Sequence, residues 1–182
     1  MTHRGYNNPC SRTILIAARL RFGYDSVMAA ASAKKLVPPD KIWLDGKLQP
    51  FTETQVHVLT HTLHYVVGAF EGIRCYKRPD GRGAVFRLRE HIDRLFDSCH
   101  ICMVEIPWTR EQLCDAVVET MRVNKLVEAY IRPLVFLGDG GLGLGSLDNP
   151  VRVMIAVYEW GSYLGDEGLK LGIRAKISSF TR

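Results

Sequence analysis

The stretch "GDGGLGLGS", Gly138 to Ser146, comes after the apolar run "AYIRPLVFL" and contains G-x-G-x-x-G as Gly138, Gly140 and Gly143. In a nucleotide-binding loop such glycines let the backbone approach a pyrophosphate that rests on the N-terminus of the next helix. The chemistry therefore needs a strand before the loop and a helix after it. The strand is present in the pattern. The residues after the loop, "LGSLDNPVRVMIAVY", give turn chemistry at Asp148-Asn149-Pro150 and then a Val-rich strand, so the helix is missing, as is an acid at Rossmann spacing. The loop reads instead as a long connection between two strands, of the kind that often serves a site or an interface.

Two other groups could do chemistry. His57, His61 and His64 in "VHVLTHTLHY" invite a metal, but no Asp, Glu or Cys stands at ligand spacing beside them, so they read as hydrogen-bonded loop histidines. Cys99-His-Ile-Cys102 spells C-x-x-C without a second pair at zinc spacing. Both thiols fall in helical register with Ile92, Leu95 and Phe96, which predicts core packing. No Ser-His-Asp order, H-E-x-x-H, Walker motif or calcium loop occurs.

Periodicity sets the elements that position these residues. "KIWLDGKLQPF" predicts a hairpin around Asp45-Gly46, a pair that tolerates positive φ. "GAFEGIRCYKRPDGRGAVFRL" predicts a second one: a strand from Ala69 to Tyr76, a turn at Pro79-Asp80-Gly81 and a return strand at Ala84 to Leu88. Residues Arg89 to Met103 place Ile92, Leu95, Phe96, Cys99 and Cys102 on one helical face. A second helix starts at Thr109, capped with Gln112 three residues on, and presents Leu113, Val117 and Met121. Strands are predicted at Ala129 to Leu137, Val151 to Tyr158 and within "LKLGIRAKISSF".

These elements make an α+β domain over residues 39–158, preceded by a leader, 1–38, and followed by a linker with the first strand of a truncated second domain, 159–182. The chain has 182 residues, 47% hydrophobic and 24% charged, and a net charge of +5. Residues 1–39 hold six basic residues against Asp25 alone, while the rest is neutral, so the basicity belongs to the leader and nucleic acid is not an expected partner. The leader fits a start at Met28 or a mitochondrial transit peptide. Cytoplasmic localisation goes with the first, and five cysteines without a framework pattern suit a reducing compartment. No apolar run approaches the ~18 residues of a membrane span, so the sequence predicts a soluble protein.

Four strings taken together resemble the branched-chain amino acid aminotransferases, fold type IV enzymes dependent on pyridoxal 5'-phosphate. They are "HTLHYVVGAFEGIRCY" (61–76), "RLREHIDRLFDS" (87–98), "AYIRPLVFLGD" (129–139) and "EWGSYLG" (159–165). The D-amino acid aminotransferases and aminodeoxychorismate lyases share the plan but resemble these strings less; a non-catalytic dimerisation module is the remaining alternative. The resemblance implies the small N-terminal domain of that fold, a hairpin-rich sheet with two helices, in a homodimer or higher homo-oligomer acting on small amino and 2-oxo acids. It implies that Arg94 grips the cofactor phosphate, a task suited to a permanently charged planar fork. Phe70 and Gly72 match positions beside the substrate, and Trp160 and Tyr163 an aromatic wall. Tyr130 and Arg132 match residues that bind substrate carboxylates. Leu144, with Tyr65, matches the apolar lining of the neighbouring subunit's pocket. The implied reaction passes the amino group of leucine, isoleucine or valine to 2-oxoglutarate. The family's catalytic lysine lies beyond the final "SSF-R" string, so this chain alone is expected to be inactive.

Overall fold

The computed structural model describes residues 37–145, 148–160 and 170–172, all within the larger of the chain's two units, Lys34–Arg182. Tyr163, most of the leader and nearly all of the expected linker and terminal strand lie outside the described residues. Of that strand, Lys170, Leu171 and Gly172 are described, and the first two are helical.

The described strands form one antiparallel sheet: β1 (Lys41–Leu44), β2 (Lys47–Pro50), β3 (Gly68–Phe70), β4 (Ile73–Lys77), β5 (Gly83–Val85), β6 (Ala129–Leu137) and β7 (Val151–Tyr158). Their order is β2-β1-β7-β6-β4-β5, with β3 also paired to β6. The β1–β2 turn uses Asp45 and Gly46 at φ 47° and 87°, as the dipeptide predicts. Asp45 also ties the hairpin to the sheet: its carboxylate accepts from the Val153 amide at 2.8 Å and pairs with Arg152.

The stretch expected as one strand from Ala69 to Tyr76 is two, and the reason is Pro133. β3 pairs Phe70 with Leu134 and β4 pairs Ile73 with Ile131, so one register runs through both and sets Glu71 opposite Pro133. The Glu71 amide donates to the Pro133 carbonyl at 3.0 Å, but proline has no N–H to return, and the ladder lapses for two residues. The return strand is also shorter than expected, ending at Val85. Arg87 takes a left-handed φ of 47° and α2 (Leu88–Ile101) starts directly after it.

α2 and α3 (Arg110–Val123) cover one face of the sheet. α3 begins with the capping box that the sequence predicts, Thr109 accepting from the Gln112 amide at 3.2 Å while the Gln112 side chain accepts from the Thr109 amide at 2.8 Å. Ile92, Leu95 and Cys99 of α2 and Leu113, Val117 and Met121 of α3 pack on Ile73, Ile131, Val135, Val153, Ile155 and Val157 of the strands. Cys102 departs from expectation. The helix has ended by then, so Cys102 sits at its C-cap with its side chain exposed, while burial pushes the Cys99 thiol up to about 11. The histidine segment is not a plain loop either: His61–Tyr65 forms a one-turn helix, α1, closed by Val66 at φ 62°.

The core makes two stability predictions, both read from urea midpoints. Leu113→Ala, at a site with no exposed surface, should lower stability by about 2–5 kcal/mol. Thr109→Ala, which removes the capping oxygen, should cost about 1 kcal/mol.

Candidate functional site

A strand's side chains alternate between faces, so β6 sends Ala129, Ile131, Val135 and Leu137 under the helices and Tyr130, Arg132 and Leu134 to the opposite face. There Arg132 lies over the Phe70 ring, 4.3 Å from its centroid, and 5.2 Å from the Tyr130 centroid. Its Nη2 donates to the Tyr130 hydroxyl at 3.0 Å. Its Nε–H is buried without an acceptor among the described residues. A guanidinium clamped between two rings with a donor to spare is suited to an oxyanion, whose charge would satisfy it.

The aromatic wall beside it is three rings in mutual contact. Tyr130 is 5.5 Å from Tyr158 and 5.2 Å from Trp160, and those two are 5.5 Å apart. Tyr158 reaches its place because β7 pairs it directly with Tyr130. Burial raises its phenol above the ordinary value, against the opposing pull of Arg132, so it remains a neutral donor and acceptor. Arg74 of β4 holds the end of the wall by donating to the Trp160 carbonyl at 3.3 Å. Gly72 is required by closeness: a Cβ there would collide with the Tyr130 hydroxyl. Phe70, Gly72, Tyr130, Arg132 and Trp160 are thus brought together as one site.

Arg94 sits apart from that cluster, on the helix side. Glu71, between Phe70 and Gly72, turns the other way by strand alternation and meets α2. Arg94 donates to its two oxygens from Nε at 2.6 Å and Nη2 at 2.7 Å, and His91 Nδ1 donates at 2.9 Å. The Glu71 side chain is 6% exposed and that of Arg94 65%. The buried carboxylate therefore holds the fork by Nε and Nη2 and leaves Nη1 without a partner among the described residues, an arrangement that fits a phosphate ligand. The hydrogen bond from Arg94 holds the Glu71 carboxyl below its ordinary value of 4.5, against the effect of burial and helped by His91.

Among the described residues no hydrogen bond or ring contact joins Tyr65 or Leu144 to either group. α1 and the glycine loop lie at the Leu137 end of β6, and Tyr130 is at the other, seven residues or about 23 Å along a strand. Sequence reasoning missed Glu71, His91 and Tyr158. The first two were findable, since Glu71 alternates with Phe70 and Gly72 and His91 is three residues before Arg94 on a helix. Tyr158 depends on the β6–β7 register, which periodicity does not supply.

Residues 68–182 match the family model of amino-transferase class IV. The chain belongs to the class IV aminotransferases. A branched-chain-amino-acid aminotransferase of Pseudomonas aeruginosa is 50% identical over 141 residues, which cover 78% of this chain and 46% of the relative. Among solved structures, the Escherichia coli branched-chain amino acid aminotransferase superposes with a TM-score of 0.73 at 42% identity, covering 79% of this chain and 47% of the other. The branched-chain amino acid aminotransferase of Thermobaculum terrenum, solved in its PLP-bound holo form, gives 0.61 at 27% identity, over 71% and 43%. The class IV chain thus spans about half the length of the curated relatives it matches, and its α+β architecture is that of the fold type IV enzymes.

In this class IV aminotransferase the Glu71 pair carries a pH signature. Because Glu71 has a lower pKa folded than unfolded, its stabilising effect is complete above 4.5 and is lost as pH falls through the folded value. Glu71→Gln should lower the urea midpoint at pH 7 and flatten its dependence on pH below 4.5; parallel wild-type and variant curves would count against this.

Proposed function

We propose that this chain forms part of a branched-chain amino acid aminotransferase that uses pyridoxal 5'-phosphate to pass the amino group of leucine, isoleucine or valine to 2-oxoglutarate. The observation that carries the reading is Arg132, held between Phe70 and Tyr130 with an unsatisfied donor beside an aromatic wall. A carboxylate satisfies the guanidinium, and an apolar side chain lies on the rings. Substrates of both kinds fit such a site in turn.

In this reading Arg94 grips the cofactor phosphate with its Nη1 edge, and Glu71 keeps the fork in plane. The cofactor supplies the electron sink when bound. Tyr130 and Arg132 orient the substrate carboxylates, Gly72 keeps the approach open, and Phe70, Trp160 and Tyr163 wall the apolar part and exclude water. Tyr65 and Leu144, at the far end of β6, serve the site of a second protomer in a homodimer or higher homo-oligomer, which explains why one chain keeps them apart. Residues 39–158 act as the small domain, 1–38 as a leader and 159–182 as the passage to the large domain, which brings the catalytic lysine. Free Cys75, Cys99, Cys102 and Cys114 suit a cytoplasmic site of action.

The test is a chimera in which residues 37–182 replace the matching part of the Pseudomonas aeruginosa relative. It should transaminate leucine with 2-oxoglutarate, and Arg132→Met should lower kcat/KM for 2-oxoglutarate by about 10–100-fold. Use of D-alanine without use of leucine would overturn the assignment in favour of a D-amino acid enzyme. Arg94→Gln should weaken retention of the cofactor, followed by its absorbance, by about 10–100-fold.

A further inference from the structure

The glycine loop is tied down at three points. The His61 amide donates to the Gly138 carbonyl at 3.0 Å, and the Gly138 amide donates to the Pro150 carbonyl at 2.8 Å, which closes the base. Asn149, itself buried, accepts from the Gly141 amide at 2.8 Å and donates to the Gly141 carbonyl at 2.9 Å. It stands so close to Gly140 that a Cβ there would collide with its Oδ1. The third tie is the His61 ring, whose Nε2 lies 2.9 Å from the Gly143 carbonyl.

His61 is 1% exposed, and its ring stacks on Tyr65 at 4.6 Å between centroids. Only an Nε2–H can donate to the Gly143 carbonyl, so the proton of the neutral ring sits on Nε2 and Nδ1 is an acceptor. That Nδ1 is buried without a partner among the described residues. A buried acceptor left unmade costs stability, and phenylalanine would keep the ring stack without that cost. What histidine adds is the hold on Gly143. The next residue, Leu144, is 86% exposed, a large apolar side chain presented to solvent directly after the tied Gly143.

We infer that His61 is a positioning residue: one buried ring sets both Tyr65, through stacking, and the Gly143–Leu144 apex, through its Nε2–H, and so holds the two together as a rigid apolar surface. Its consequence for substrates rests on the proposal that Tyr65 and Leu144 line a neighbouring protomer's pocket; the hold on the loop does not.

The experiment is 15N relaxation on the 182-residue chain and its His61→Phe and His61→Gln variants. In the wild type the order parameters of Gly143, Leu144 and Gly145 should lie near the rigid value of about 0.85, and in His61→Phe they should fall below about 0.6. Gly141, held by Asn149, and β6 should not change, and the urea midpoint should stay equal or rise. His61→Gln, which keeps a donor amide, should restore most of the order. An apex already mobile in the wild type, an apex unchanged in His61→Phe, or loss of order spreading through β6 would each overturn the inference. In the chimera, His61→Phe should change the leucine-to-valine ratio of KM several-fold with kcat little altered. Should Leu144→Ala leave that ratio untouched, the pocket-wall reading fails while the relaxation result still decides the role of His61.

Discussion

The β6–β7 ladder is the constraint on which the rest of this chain depends. Eight residue pairs, from Tyr130 with Tyr158 to Leu137 with Val151, fix which residues of each strand face the helices and which face away. A slip of one residue would send Tyr130 and Arg132 into the apolar core and expose Ile131 and Val135. The core thus enforces the site: the free energy of burying Ile131, Val135, Val153, Ile155 and Val157 under α2 and α3 holds the polar residues in their positions on the opposite face.

Pro133 gives the sheet an irregularity beside that ladder and links it to the chemistry. By withholding an N–H from Glu71 it interrupts the neighbouring strand at Glu71 and Gly72. The two sides of that gap then do different work. Phe70 and Gly72 turn to Arg132 and Tyr130, and Glu71 turns to Arg94 and His91. Residues adjacent in sequence therefore link the Arg132 cluster on one face to Arg94 on the other through a few atoms of backbone.

The glycine loop shows how a flexible composition becomes a defined surface. Glycine leaves room at Gly140, where a side chain would collide with Asn149, and Asn149 and His61 bond the backbone at Gly141 and Gly143. The exposed Leu144 follows the Gly143 tie directly.

Much of this was legible in the sequence alone. Local chemistry determined the Asp45-Gly46 turn, the Thr109 capping box, the apolar faces of α2 and α3 and the two long strands, because turns, caps and periodic faces depend on residues within a few positions of one another. It also determined that Gly138–Gly143 opens no helix. The family strings marked Phe70, Gly72, Arg94, Tyr130, Arg132 and Trp160, each by its neighbours in the chain. Tertiary structure alone decided the break at Glu71, the pairing of Tyr158 with Tyr130, the exposure of Cys102 and the contact of His61 with Gly143. Each of these depends on a partner far along the chain, Pro133, β6, the end of α2 against its surroundings or Gly143. Distance in sequence carries no physical force between residues; contact does, and only the folded register makes it.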